Sequence, residues 1–183
     1  MKNKVHNLSS YTFSPGERIL VDANVWLYCH PAPSDSSYRF AQQYTTAFQK
    51  LVTANAQPII DPVIVSEYVN RYTRTEWKGR YSKQYRKYKD FRKSSDFPPI
   101  AQVAQKLAKK ILSFCQIHSI PANKLDINQA LTDFSSGNVD FNDALFVDIC
   151  KKDGLKLMTN DGDFTNGGIE VLTTHPKLLR ACS

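Results

Sequence analysis

DFNDALFVDICKKDGLKLMTNDGDF, residues 140–164, holds the reading that decides the fold. Ala144, Leu145, Phe146, Val147, Ile149 and Cys150 cover nearly every face of a helical wheel. The segment from Asp140 to Lys152 therefore reads as a buried helix, ended by Gly154. Leu155–Thr159 follows as a short apolar strand, and Asn160–Asp163 as a turn. A buried helix feeding a buried strand is the signature of a parallel sheet covered by helices.

Outward from this core the alternation repeats. RILVD (18–22) reads as a strand, and Asn24–Cys29 starts a helix stopped by Pro31 and Pro33. Residues 36–54 carry apolar side chains at helical spacing. Gln57–Asp61 is a strand, and Asp61-Pro62 opens a helix with a cap and a proline where no N–H is missed. Phe97-Pro98-Pro99 starts another helix. Ile117–Ile120 is a third short strand, Asp126–Phe134 a short helix, and Gly168–Leu172 a last strand. The expectation is an α/β fold of three layers, α/β/α, with a central parallel sheet of about four to five strands. One domain spans 1–183, with an irregular arm over 1–17 and a basic, aromatic-rich helical insert over 74–97.

Composition narrows the class. Hydrophobic residues make up 42% and charged residues 22%, as in a globular protein. No run approaches the ~18 apolar residues of a membrane span, and the N-terminus lacks a secretory apolar region. A cytoplasmic protein without membrane contact is expected. Cys29, Cys115, Cys150 and Cys182 are scattered, so reduced thiols are expected, and the histidines form no zinc pattern. The net charge is +7, but ten basic and two acidic residues between Arg71 and Lys93 give that stretch +8, leaving −1 for the other 160 residues. A near-neutral body with one basic segment suits a polyanion.

The acids sit where such a sheet would gather them. Asp22 ends the first strand, Glu67 lies early in the helix after the second, Asp143 is in the first turn of the buried helix, and Asp161 and Asp163 follow the next strand. Each alone has an ordinary role as a cap, a solvated helix residue or a turn residue. Together they converge with no cation nearby in sequence, and ligands of parallel sheets bind at the carboxyl ends of the strands. A divalent cation would relieve the repulsion, and oxygen-only ligands favour Mg²⁺ or Mn²⁺.

LVDANVWLY (20–28), VIVSEYVNR (63–71), DFNDALFVDIC (140–150) and LMTNDGDF (157–164) resemble, in order, the four acidic motifs of PIN-domain nucleases. The resemblance covers nearly the whole chain and implies a PIN-like fold. It places the metal-site acids on Asp22, Glu67, Asp143 and Asp161, with Asp163 as a further catalytic acid and Asn24, Thr159 and Asp140 in support. It implies RNA cleavage leaving a 5′-phosphate, and similarity to VapC-type toxins implies an antitoxin partner and a homodimer. The N-terminal arm and the basic insert depart from the compact toxins. Two other readings stand beside it. One is an inactive PIN-like RNA-binding module, which would have no need of a complete acid set. The other is a haloacid-dehalogenase-like phosphatase, which wants a second acid where Asn24 stands.

The insert also carries Trp77, Tyr81, Tyr85, Tyr88 and Phe91, spaced to share one face of a helix. That face packs on the domain or on a second subunit, or offers one or two rings to bases, and the two readings are compatible because the stripe can pack inward while the charges face RNA. Lys83, Arg86, Lys87 and Lys89 are the expected RNA contacts.

Overall fold

The computed structural model describes residues 1–36, 38–137 and 139–181. Its elements are β1 (Lys4–Asn7), β2 (Arg18–Val21), α1 (Ala23–Cys29), α2 (Tyr38–Thr53), β3 (Gln57–Ile60), α3 (Pro62–Glu76), α4 (Tyr88–Arg92), α5 (Phe97–Phe114), β4 (Gln116–Ile117), α6 (Ile127–Ser135), α7 (Phe141–Asp153), β5 (Lys156–Met158), β6 (Glu170–Thr173) and α8 (Pro176–Ala181). The strands form a single sheet of order β1-β6-β5-β2-β3-β4, parallel throughout.

The sheet thus has six strands, one more than the upper expectation. The addition is β1, inside the segment expected to be an irregular arm. It pairs in parallel with β6, Lys4 opposite Glu170 and Asn7 opposite Thr173. Asn3, which is buried, secures it by donating to Phe164 O and accepting from Ile169 N. The third strand is shorter than expected and earlier, only Gln116–Ile117.

Local chemistry sets the helix ends. Asp61 Oδ1 accepts from Val63 N at 2.6 Å, and Pro62 fills the first position of α3. Asp61 Oδ2 also receives His118 Nε2 at 2.7 Å, while His118 Nδ1 accepts from Ile120 N, so this imidazole is protonated at Nε2. Asp140 caps α7 through Asn142 N, and Gly154 ends the helix at φ 64, a left-handed turn that glycine adopts without strain.

The core lies on both faces of the sheet. Ile19, Leu20, Val21, Ile59, Leu157 and Val171 are buried beneath Trp26, Tyr44, Tyr68 and Phe146 from the covering helices. A smaller cluster, Ala130 with Ala144 and Leu145, joins α6 to α7. Cys29, Cys115 and Cys150 are free thiols, and burial pushes the Cys29 thiol up to about 11 and that of Cys115 up to about 12; Cys182 lies outside the described residues. Among the described residues no helix is long and apolar enough to cross a membrane.

The insert is not one continuous helix. Trp77–Tyr81 forms a π-helical turn continuing α3, the chain then turns, and Tyr88–Arg92 forms the short α4. The five rings meet because the segment folds back on itself. Phe91 is fully buried, with Tyr81 stacked on it at 4.8 Å and Tyr85, Tyr88 and Phe97 around it. The aromatic residues therefore pack inward.

Candidate carboxylate site

Asp22 stands between β2 and α1, with its side chain buried and turned toward the end of β5. Thr159 Oγ1 donates to Asp22 Oδ2 at 2.6 Å, and Asn24 Nδ2 donates to the same oxygen at 2.5 Å. Thr159, which is fully buried, also accepts from Asp161 N at 3.0 Å and from Asn24 Nδ2 at 3.1 Å. Asn24 Oδ1 accepts from Asn160 N, so one amide ties the start of α1 to the turn after β5. Asp161 Oδ1 in turn accepts from Asp163 N and fixes that turn. These bonds hold the carboxylate of Asp22 and the backbone of Asp161 in one frame.

The electrostatics show which acids are close. Burial pushes the Asp22 carboxyl up to about 6, and the charges of Glu67 and Asp161 act in the same direction, against the opposing hydrogen bond from Thr159. Asp143 is pushed higher, to about 8, by burial and by the charges of Asp22, Asp161, Asp140 and Glu67. The charges of Asp22, Glu67 and Asp161, from the residue after β2, from α3 and from the turn after β5, thus all bear on Asp143 at the start of α7.

The remaining expected residues have other company. Glu67 also receives Arg71 Nη1 at 2.9 Å, one helical turn on. Asp163 points outward and pairs with Lys177 at 2.9 Å, so a basic side chain from α8 faces the second acid of the turn. Arg71 and Lys177 are cations that the pattern of acids in the sequence did not suggest. Asp140 acts as the cap of α7. Lys83, Arg86, Lys87 and Lys89 are all exposed on the insert.

Sequence reasoning missed Tyr44 and Tyr28. The Tyr44 hydroxyl donates to Thr159 O and lies 3.0 Å from Asn160 Oδ1, and it accepts from Thr174 N. Asn160 Nδ2 donates to the Tyr28 hydroxyl. Both rings come from helices and brace the turn carrying Asp161. Helical apolar spacing marked the segment of Tyr44 only as a packed helix, and Tyr28 stood only as the last residue of the first acidic motif.

The family model described as PIN domain matches residues 19–169, most of the chain and every one of these acids. The chain belongs to the PIN domain family. PIN domains are generally nucleases. Among solved structures, this PIN domain is similar to VapBC2 from Rickettsia felis, solved bound to a DNA fragment from their promoter, with a TM-score of 0.51 and 13% identity over 85% of this chain and 98% of that chain. It is also similar to PAE2754 from Pyrobaculum aerophilum, with a TM-score of 0.47 and 16% identity over 92% of this chain and 98% of that one. None of the curated proteins matches the chain.

Asp22, Glu67, Asp143 and Asp161 are the acids expected at a metal site from the sequence, and the charges of Glu67 and Asp161 bear on both Asp22 and Asp143. The donor set is all oxygen and mutually repelling, which suits a hard divalent ion. Among the described residues no group of three or more His, Cys, Asp or Glu side chains is positioned to hold a metal ion as the side chains stand. Asp22 is the carboxylate already held by neighbours, so it is the fixed point about which the others would gather.

Proposed function

We propose that this PIN domain is a Mg²⁺- or Mn²⁺-dependent endoribonuclease, with Asp22, Glu67, Asp143 and Asp161 as its metal-holding acids. One observation carries the reading: burial, and with it the charges of Asp22, Asp161 and Glu67 from three other segments, raise the Asp143 carboxyl to about 8. A structural role gives no reason to collect such repulsion, whereas a cation site requires it. When bound, a divalent ion supplies positive charge that polarises the phosphate and activates water. The chain's own part is positional. Thr159 and Asn24 fix Asp22, Tyr44 and Tyr28 brace the turn bearing Asp161, and α7 presents Asp143 from its first turn. Asp163, paired with Lys177, stands at the rim as a further acid.

The family resemblance supports RNA as substrate. The reading extends to a type II toxin–antitoxin pair, with an antitoxin protein and a second copy of the chain as partners. The fold shared with VapBC2 supports the first partner; the second rests on the family resemblance alone.

The test is cleavage of a panel of RNAs with Mn²⁺ or Mg²⁺, with and without EDTA. Activity should appear with either ion, vanish in chelator, and fall by at least about 100-fold in Asp22→Asn and Asp143→Asn while both variants stay folded. Undiminished cleavage in EDTA would exclude the metal site. RNA binding without cleavage under every metal condition would favour an inactive RNA-binding module.

A further inference from the structure

We propose that the insert from Lys78 to Lys93 is a rigid phosphate-binding arm that holds the flanking RNA strand at a fixed offset from the cleavage site, whatever its sequence. The inference rests on the nuclease reading above. Its basis is the way the segment is built and where it is anchored.

The arm's position follows from α3. The charge of Glu67 bears on Asp22 and Asp143, and Trp77 lies ten residues further along the same helical run, on the order of 15 Å at 1.5 Å per residue. A second connection fixes the far end. The side chain of Glu76 is buried and accepts from Ser34 N at 2.7 Å in the loop beyond α1. Gly79 lies against the same loop, where a Cβ would come within 2.6 Å of Ser34 Cβ. Tyr68 Oη donates to His30 O between these points. Two helices that both leave the carboxylate site, α1 and α3, are thus locked together where the arm begins.

The arm's interior is equally tied. Trp77 Nε1 donates to Tyr85 O, the Tyr85 hydroxyl donates to Asp96, and the Tyr88 hydroxyl meets that of Thr73 at 2.7 Å. Tyr81, Tyr85 and Tyr88 are engaged around Phe91 and Trp77 against Tyr88, so the rings are spent on one another. What it turns outward is charge. Lys83, Arg86, Lys87 and Lys89 are exposed, and none of the four is in an ion pair among the described residues, whereas Arg71 and Arg80 are paired with Glu67 and Glu76.

Unpaired cations on a stiff support match a phosphate backbone. An acidic amphipathic protein segment would also want an apolar groove beside the charges. The apolar groove of this region lies between α3 and α5 with Tyr88 and Arg92 of α4 at its edge, and Lys83, Arg86, Lys87 and Lys89 all lie outside its lining.

The test measures binding in EDTA, where cleavage does not intervene, using a fluorescein-labelled oligouridylate of about 20 nucleotides titrated across a range of KCl. Changing Lys83, Arg86, Lys87 and Lys89 to Ser should weaken binding about tenfold or more near 0.1 M salt and reduce the slope of log affinity against log salt by about 3, at ~0.7 per lost phosphate contact. Oligoadenylate and mixed sequences should lose the same factor, and the melting temperature should stay within a few degrees of wild type. Equal affinity of variant and wild type for oligouridylate at every salt would overturn the arm. So would a poly-glutamate peptide that binds the wild type as tightly as the RNA through the same four residues, which would assign the surface to an acidic protein. Cleavage assays run in parallel separate the two readings. A binding loss without cleavage by the wild type would leave the arm and remove the nuclease, and cleavage with unaltered binding would do the reverse.

Discussion

Asp143 binds a proton in the folded chain at a pH where the unfolded chain has released it. An aspartate in the unfolded state titrates near ~4, whereas folding pushes Asp143 up to about 8 and Asp22 up to about 6. The native state therefore holds more protons than the unfolded state between these values, and stability falls as pH rises. The contribution of each group is complete below about 4 and is lost through about 6 for Asp22 and about 8 for Asp143. The melting temperature in EDTA should therefore be lower at pH 8 than at pH 5. Asp143→Asn should flatten that decline and raise the value at pH 8, as scanning calorimetry would show; a steeper decline in the variant would rule out carboxylate crowding as its cause. Adding Mn²⁺ should raise the melting temperature of the wild type at pH 8, because an ion that binds only the native state stabilises it, and should raise that of Asp143→Asn much less.

Between residue and domain, the insert is the element whose stability can be tested apart from its charge. Phe91 is its interior, so Phe91→Ala should cost about 3–4 kcal/mol in urea unfolding, through lost burial and the cavity left behind. The four-serine variant should unfold near the wild-type midpoint. Equal losses in the two would mean that the arm is held by its cations and not by its rings. The same element shows where the sequence was legible. The two ends of α7 could be read from Asp140 and Gly154 because a cap and a left-handed stop are local chemistry. The acids at the strand ends were readable for a similar reason, since in a parallel sheet chain order alone brings strand termini to one edge. The aromatic spacing in the insert matched a helix, yet the chain turns between Ser82 and Lys87 and brings the rings together by folding back. Periodicity cannot separate these outcomes when both bury the same rings. Tyr44 was opaque for another reason: its ring sits at a core position of α2, and only its hydroxyl reaches the turn after β5.

At the level of the whole molecule, the first strand of the sheet depends on the last in chain order. KVHN has one strongly apolar side chain and no alternation worth the name, so β1 is formed by its partner β6 and not by its own composition. Deleting residues 1–7 should uncover the unpaired side of β6, lower the melting temperature and promote self-association visible in size-exclusion chromatography, because an exposed parallel edge recruits strands. A deletion variant that stays monomeric with an unchanged melting temperature would show that β1 is dispensable. The pairing of Lys4 with Glu170 also sets an order of events during synthesis. The ribosome makes β1 before β6, so β1 has nothing to pair with until Glu170–Thr173 has emerged, after every described helix except α8. In that interval Lys4–Asn7 has no partner to make it a strand. Until β6 arrives, its backbone N–H and C=O groups are available to chaperones and to neighbouring nascent chains.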